Sequence, residues 1–253
     1  MSTFFMIHHR EKPGFAEQQA EYGKKKSDLE FSKVEEEKWD AAGFHAHDCM
    51  IGTGEIFCVW EAQEGKTSAD MQAHIDSEMP FLNNLVYTVQ TSINGFMPKN
   101  IFGDNGTPHR LVDSPTLGEN GCDTRSHFYM VEHTCKPGML DSWVKMTEGF
   151  APKTPKEQEA FGKMMESWKE MGFHGHSSLP ISTSESGPNV FCLWELKESK
   201  TAAELQAFHD KGMGMGPSPF TNVLHPIDKT FSKGVLPVFG DAIAATEAAE
   251  AGA

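Results

Sequence analysis

Short apolar blocks recur along this chain at spacings that alternate between strand-like and helix-like. FFMIHH (residues 4–9) and HFYMVEH (residues 127–133) read as opening strands. Helical stretches follow. The clearer one has Thr154 as a cap, Pro155 at the first helical position, and Phe161, Met164, Met165, Trp168 and Met171 at helical spacing. Next comes a predicted hairpin, Gly43–Ile51 and Glu55–Glu61 around a Gly52-Thr-Gly54 turn, with a longer Ser182–Asn189 loop at the corresponding later place. Thr67 and Thr201 open a further helix each, Thr201 with Glu204 forming a capping box and Thr67 with Asp70 a weaker one. Last strands are expected around Leu85–Ile93 and Val223–Ile227.

The blocks repeat as wholes. Phe5–His9 followed by KPG returns as Tyr129–His133 followed by KPG, and GFHAH at 43–47 returns as GFHGH at 172–176. FCVWE at 57–61 returns as FCLWE at 191–195, KTSADMQA at 66–73 as KTAAELQA at 200–207, and Pro80–Asn83 as Pro219–Asn222. Matches in one order predict a tandem duplication. Residues 1–96 form the first copy and 126–240 the second. A Gly-, Pro- and Asn-rich linker is expected over 97–125 and a low-complexity tail over 241–253.

Each copy reads as β-α-β-β-α-β, an α+β, ferredoxin-like arrangement. Ile56, Cys58 and Trp60 alternate with Phe57 and Val59, so the third strand is apolar on both faces. The face away from the helices therefore needs a cover, and the other copy's sheet is the expected one. On these segments the chain resembles a fused pair of dimeric α/β-barrel domains, a superfamily that holds small monooxygenases, polyketide cyclases and stress proteins. The resemblance implies an intramolecular dimeric barrel. The stretch IFCVWEA…MQAHID is also similar to uncharacterised nickel-binding-protein-like domains. In those, the second helix carries a His-x-x-x-His-Gly pattern. His74 stands at its first position here, with Glu78 and Met79 at the others and Phe208 in the second copy.

Composition narrows the partners. The formal charge of −14, from 36 acidic and 22 basic residues, argues against nucleic acid. No apolar run approaches a membrane span, and the start lacks the pattern of a secretory signal, so a cytoplasmic protein is expected. The five cysteines are odd in number and include no CxxC, which fits inert thiols in a reducing compartment. The glycine-rich insertion Gly212–Pro219 lacks the strand-before, helix-after context of a phosphate loop, so no nucleotide cofactor is expected. It is instead a candidate lid.

The candidate chemistry lies in histidines and glutamates. Hairpin pairing sets His45 opposite Glu61, with His47 on the same face two residues on. The first and third strands are expected to be parallel neighbours, so His9 joins them, giving His9/His45/Glu61 with His47, and His133/His174/Glu195 with His176. Two imidazoles and a carboxylate suit a divalent transition metal (Zn, Ni, Cu or Fe) with an open position for a small-molecule ligand. Without metal, His45, Glu61, His174 and Glu195 form acid/base pairs for a cyclase, isomerase, lyase or cofactor-independent oxygenase. A third reading leaves the pairs structural, in a stress or assembly protein whose copies stack into homo-oligomers.

Overall fold

The computed structural model describes residues 2–26, 28–90, 126–149, 154–182, 187–228 and 238–239. The expected linker and the tail lie outside them. The chain divides into two compact units. The first has β1 (Thr3–Glu11), α1 (Ala16–Lys26), α2 (Leu29–Ala41), β2 (Phe44–Ile51), β3 (Glu55–Ala62), α3 (Ser68–Glu78) and β4 (Leu82–Thr88). The second has β5 (His127–Cys135), α4 (Leu140–Gly149), α5 (Pro155–Glu170), β6 (Phe173–Pro180), β7 (Val190–Leu196), α6 (Ala202–Asp210), a 3-10 turn at Gly212–Gly214, and β8 (Phe220–Ile227). Their sheets have orders β2-β3-β1-β4 and β6-β7-β5-β8, with every adjacent pair antiparallel. This is the ferredoxin-like α+β arrangement. Among the described residues no helix is long and apolar enough to cross a membrane.

The helices form where their caps allow. Thr67, Thr154 and Thr201 each accept from the backbone three residues on, and Asp70, Glu157 and Glu204 reach back to complete capping boxes. Thr67 with Asp70 is therefore as complete as the others. In the first unit Phe5, Ile7, Cys58 and Trp60 meet Trp39, Met71 and Ile75 in one core cluster. In the second, Val131, Cys192 and Trp194 meet Trp143, Trp168 and Leu205. Tryptophans join helix to sheet in each unit, Trp39 to Trp60 at 4.9 Å and Trp168 to Trp194 at 5.5 Å between ring centres. The other sheet faces are buried too, at Phe4, Met6, Phe57 and Val59 and at Phe128, Met130, Phe191 and Leu193.

Three expectations need correction. β1 and β3 are antiparallel, not parallel, because β3 returns from its hairpin against the direction of β1; His9 consequently sits opposite Ile56, and Phe4 opposite Glu61. The last strands begin earlier, at Leu82 and Phe220, and their register with the central strands sets Asn84 beside His9 and Asn222 beside His133. Aligning Pro80–Asn83 with Pro219–Asn222 is thus one residue out. Finally, the Gly212–Pro219 segment is no lid: Met213, at φ 56°, packs against the core and its carbonyl accepts the Trp168 indole N–H at 3.1 Å.

One polar network ties the last strand to the helix layer in both units. The Asn84 amide donates to Asp76 at 2.8 Å, so its oxygen faces His9 and accepts Nδ1–H at 2.7 Å. Gln72 closes the network on Asp76 and on the Asn84 carbonyl, each at 3.0 Å. Asn222, Asp210, His133 and Gln206 repeat it with bonds of 2.7 to 3.2 Å. Burial outweighs the asparagine bond and holds both histidines neutral, their pKa values lowered from 6.5 to about 4.

Such a histidine takes up a proton in the unfolded chain before it does so in the folded one, so stability rises with pH across that interval. Urea unfolding should show a loss between pH 6.5 and about pH 4, of up to about 3 kcal/mol per histidine. His9→Gln and His133→Gln should flatten the slope, and an unchanged slope would contradict the assignment.

Candidate functional site

The chain leaves α2 and α5 through Gly43 (φ 84°) and Gly172 (φ 90°), a left-handed turn that suits glycine and starts β2 and β6. His45 and His174 pair with Glu61 and Glu195 across the sheet, as expected. One residue later the register slips, between Ala46 and Asp48 and between Gly175 and Ser177. His47 and His176 are the inserted residues. A bulge re-aims a side chain, and here each of these histidines meets the glutamate rather than standing opposite Val59 or Leu193.

The resulting contacts are short. His47 Nε2 lies 2.8 Å from Glu61 Oε2, and His176 Nε2 lies 2.8 Å from Glu195 Oε2. Both glutamates are fully buried, and both histidine side chains are 11% exposed. The neighbouring rings meet edge to face, His45 with His47 at 4.9 Å and His174 with His176 at 4.8 Å. Phe4 stacks on His47 and Phe128 on His176.

The two sites then diverge. In the first unit His45 Nδ1 bonds Asp40 at 2.7 Å, so each imidazole has its own carboxylate. In the second, Lys169 stands just after Trp168 where Asp40 follows Trp39, and its charge opposes protonation of His174. Glu195 has these further partners. Ser126 donates to it at 2.6 Å, and the backbone amides of Val238 and Phe239 donate at 2.7 and 2.9 Å. Burial alone would raise its pKa, but these donors together with His176 hold it below the ordinary carboxylate value. An ionised Glu195 can only accept, so His176 presents Nε2–H to it and keeps Nδ1 as the other ring nitrogen. Burial also lowers the pKa of His47 and of His174.

His9 and His133 are not part of either group. Each lies on the helix-covered face, whereas Phe4 and Phe128 are the residues of β1 and β5 that oppose Glu61 and Glu195. His8 shares the face of Glu61 but sits at the other end of β1, stacked on Phe57 at 4.4 Å. His74 packs flat against Phe44 at 4.4 Å. Among the described residues no group of three or more His, Cys, Asp or Glu side chains is arranged to hold a metal ion. Cys192 is an inert core thiol, its pKa pushed up by burial to about 12. A depression of about 270 Å³ opens near the second site, with Ser126, Phe128 and Ile227 in its wall.

Sequence reasoning missed Asp40, Ser126 and the amides of Val238 and Phe239. The spacing Asp40-x-x-Gly43-x-His45 offered a signal for the first, since a glycine turn brings the end of a helix back beside the next strand. The others are distant in sequence and carry none.

Residues 4–97 and 128–235 match a protein family described as a domain of unknown function, DUF8652. The chain belongs to this family. No curated protein matches it. Among solved structures it is similar to a chlorite dismutase variant from Candidatus Nitrospira defluvii, at 9% identity and a TM-score of 0.43, covering 90% of this chain and 91% of that one. It is also similar to a heme-binding protein from Thermus thermophilus, at 9% identity and a TM-score of 0.42, with 90% and 93% covered. Likeness at this level carries neither ligand nor reaction across.

Replacing Glu195 by Gln sets an amide against two backbone N–H donors. We expect a loss of about 1–3 kcal/mol at pH 7 in chemical denaturation, the cost of an unsatisfied buried donor. A carboxylate with a lowered folded pKa contributes stability above its unfolded value of about 4.5, and loses it as pH falls through the folded value. The gap between the native chain and Glu195→Gln should therefore narrow below pH 4.5.

Proposed function

We propose that this protein binds a small molecule and moves a proton on it, using the dyads His47–Glu61 and His176–Glu195. Residues 1–96 and 126–240 are read as two copies of one domain. The observation that carries the reading is the pair of 2.8 Å imidazole–carboxylate contacts, each on a fully buried glutamate. A buried carboxylate orients an imidazole and stabilises its protonated form, which is the arrangement of a general base. Depressed basicity keeps His47 neutral near pH 7 and ready to accept a proton at Nδ1. His45, fixed by Asp40 and edge-on to His47, supplies a second acid/base group in the first unit. An isomerase or lyase acting at an acidic C–H fits this set.

A second reading has a specific observation behind it. His45 and His47 each give one ring nitrogen to a carboxylate, as metal-ligating histidines do, which leaves the other nitrogen of each for a divalent ion. Two imidazoles would then need water or substrate to complete the coordination. Haem fits neither reading. Its iron needs an axial ligand opening on a macrocycle-sized pocket, and among the described residues His9 and His209, buried with unpartnered ring nitrogens, lie in packed interior.

The deciding experiment follows α-proton exchange in D2O by proton NMR over a panel of enolisable ketones and 1,3-dicarbonyl acids. The native chain should accelerate exchange on a subset, and His47→Ala with His176→Ala should lower that rate by about 10²–10⁴-fold. Exchange no faster than buffer across the panel would count against acid/base function. Elemental analysis of untagged protein beside His45→Ala/His174→Ala separates the metal reading, which requires a bound ion that the double variant loses.

A further inference from the structure

A pair of cysteines stands on the helix-covered face of the first sheet. Cys49 of β2 is the register partner of Cys58 of β3, and the Cys58 thiol donates to Cys49 Sγ at 3.2 Å. The hairpin turn decides what kind of pair this is. Gly52 N–H donates to the Glu55 carbonyl at 2.7 Å, so those two residues form a hydrogen-bonded pair, and the register runs unbroken from Ile51–Ile56 to Cys49–Cys58. Antiparallel pairs alternate in type, which makes Cys49 and Cys58, three steps on, a non-hydrogen-bonded pair. Such a pair holds its Cα atoms about 4.5 Å apart with the side chains close, inside the span of about 4.4–6.8 Å that a disulfide bridges.

The two thiols differ in access. Cys58 is 2% exposed on an inner strand, whereas Cys49 lies on the edge strand and is only partly buried. The second unit supplies the comparison. Its register sets Ser178 opposite Cys192, whose thiol meets the serine hydroxyl at 3.5 Å. The fold therefore accepts an oxygen where Cys49 stands, and packing alone does not call for a second sulfur. Two sulfurs in contact, one reachable from solvent and one behind it, are the arrangement of an attacking and a resolving cysteine.

We propose that Cys49 and Cys58 are a redox-modification site, oxidised by hydrogen peroxide to a reversible disulfide that fastens edge strand β2 to β3. The Cys49 sulfur attacks the peroxide. An S–O bond forms as the O–O bond breaks, and the proton shed by the thiol leaves in the first water, giving a sulfenic acid. The Cys58 sulfur then attacks Cys49 Sγ. The S–S bond forms, the S–O bond breaks, and the departing hydroxide takes the Cys58 proton as the second water. Two thiols thus pass two electrons to one peroxide. An external dithiol reverses the step by exchange and becomes a disulfide itself. Because β2 also carries His45 and His47, the crosslink fixes the strand that presents them.

The test uses the full chain carrying Cys122→Ser, which removes the cysteine outside the described residues. The reduced protein is treated with a small excess of hydrogen peroxide, quenched, and alkylated in denaturant. Peptide mass spectrometry should find Cys49 linked to Cys58, the chain lighter by two hydrogens, and Cys135 and Cys192 alkylated; dithiothreitol should restore the starting mass. Amide hydrogen exchange along β2 should slow about tenfold in the oxidised chain. Cys49→Ser, which places the second unit's residue in the first, should abolish the linkage and leave Cys58 alkylated. Cys58→Ser should stop at the Cys49 sulfenic acid, captured by dimedone. Absence of the Cys49–Cys58 linkage, linkage between chains only, or Cys49 carried on to sulfinic acid beside an intact Cys58 thiol would each overturn the site. The linkage is read by mass, so it stands or falls separately from proton-exchange activity.

Discussion

A carboxylate without water is the constraint around which each sheet is organised. Glu61 and Glu195 lie one residue from the ends of β3 and β7, inner strands of their sheets, with no exposed surface, and desolvating an ionised carboxylate there is costly unless donors replace the lost water. The backbone supplies those donors by local irregularity. A glycine in the left-handed region starts the neighbouring strand, a bulge follows three or four residues on, and the inserted histidine reaches the glutamate. Without the bulge, His47 would oppose Val59 and the carboxylate would lose a charge-assisted bond.

The two solutions diverge in what surrounds that bond. The first unit extends it outward through His45 to Asp40, giving two adjacent imidazoles between two carboxylates. The second surrounds Glu195 with a hydroxyl and two backbone amides, which hold the carboxylate ionised and rigid. A device with two imidazoles and two carboxylates suits proton transfer, whereas a carboxylate saturated by four donors fixes one imidazole in place. Divergence of the same kind appears on the helix side, where Ile75 fills the place that His209 takes.

Much of this was legible in the residues. Alternation and capping signals placed the strands and helices, and the Gly-Phe-His-x-His blocks placed His45 opposite Glu61. What failed was anything that depended on strand direction or on a one-residue slip. His9 joins Glu61 only if β1 runs parallel to β3, and the antiparallel register sends it to the other end and the other face. His47 faces Val59 only if pairing is counted from the turn without a bulge. Ala46 and Asp48, or Gly175 and Ser177, around the inserted histidine carry no pattern that marks a bulge.

By itself the sequence determined the α+β class, the order of the strands and the residue types available for chemistry, though it read one helix where α1 and α2, and α4 and α5, are two. These follow from periodicity, caps and turns, which act over a few residues. Only the tertiary structure decided which of those residues meet: Glu61 with His47, His45 with Asp40, Glu195 with Ser126, His9 with Asn84 and His133 with His209. Each of these contacts depends on register, strand direction or the approach of a distant segment. Such features are set by the packing of whole elements, and no local pattern encodes them.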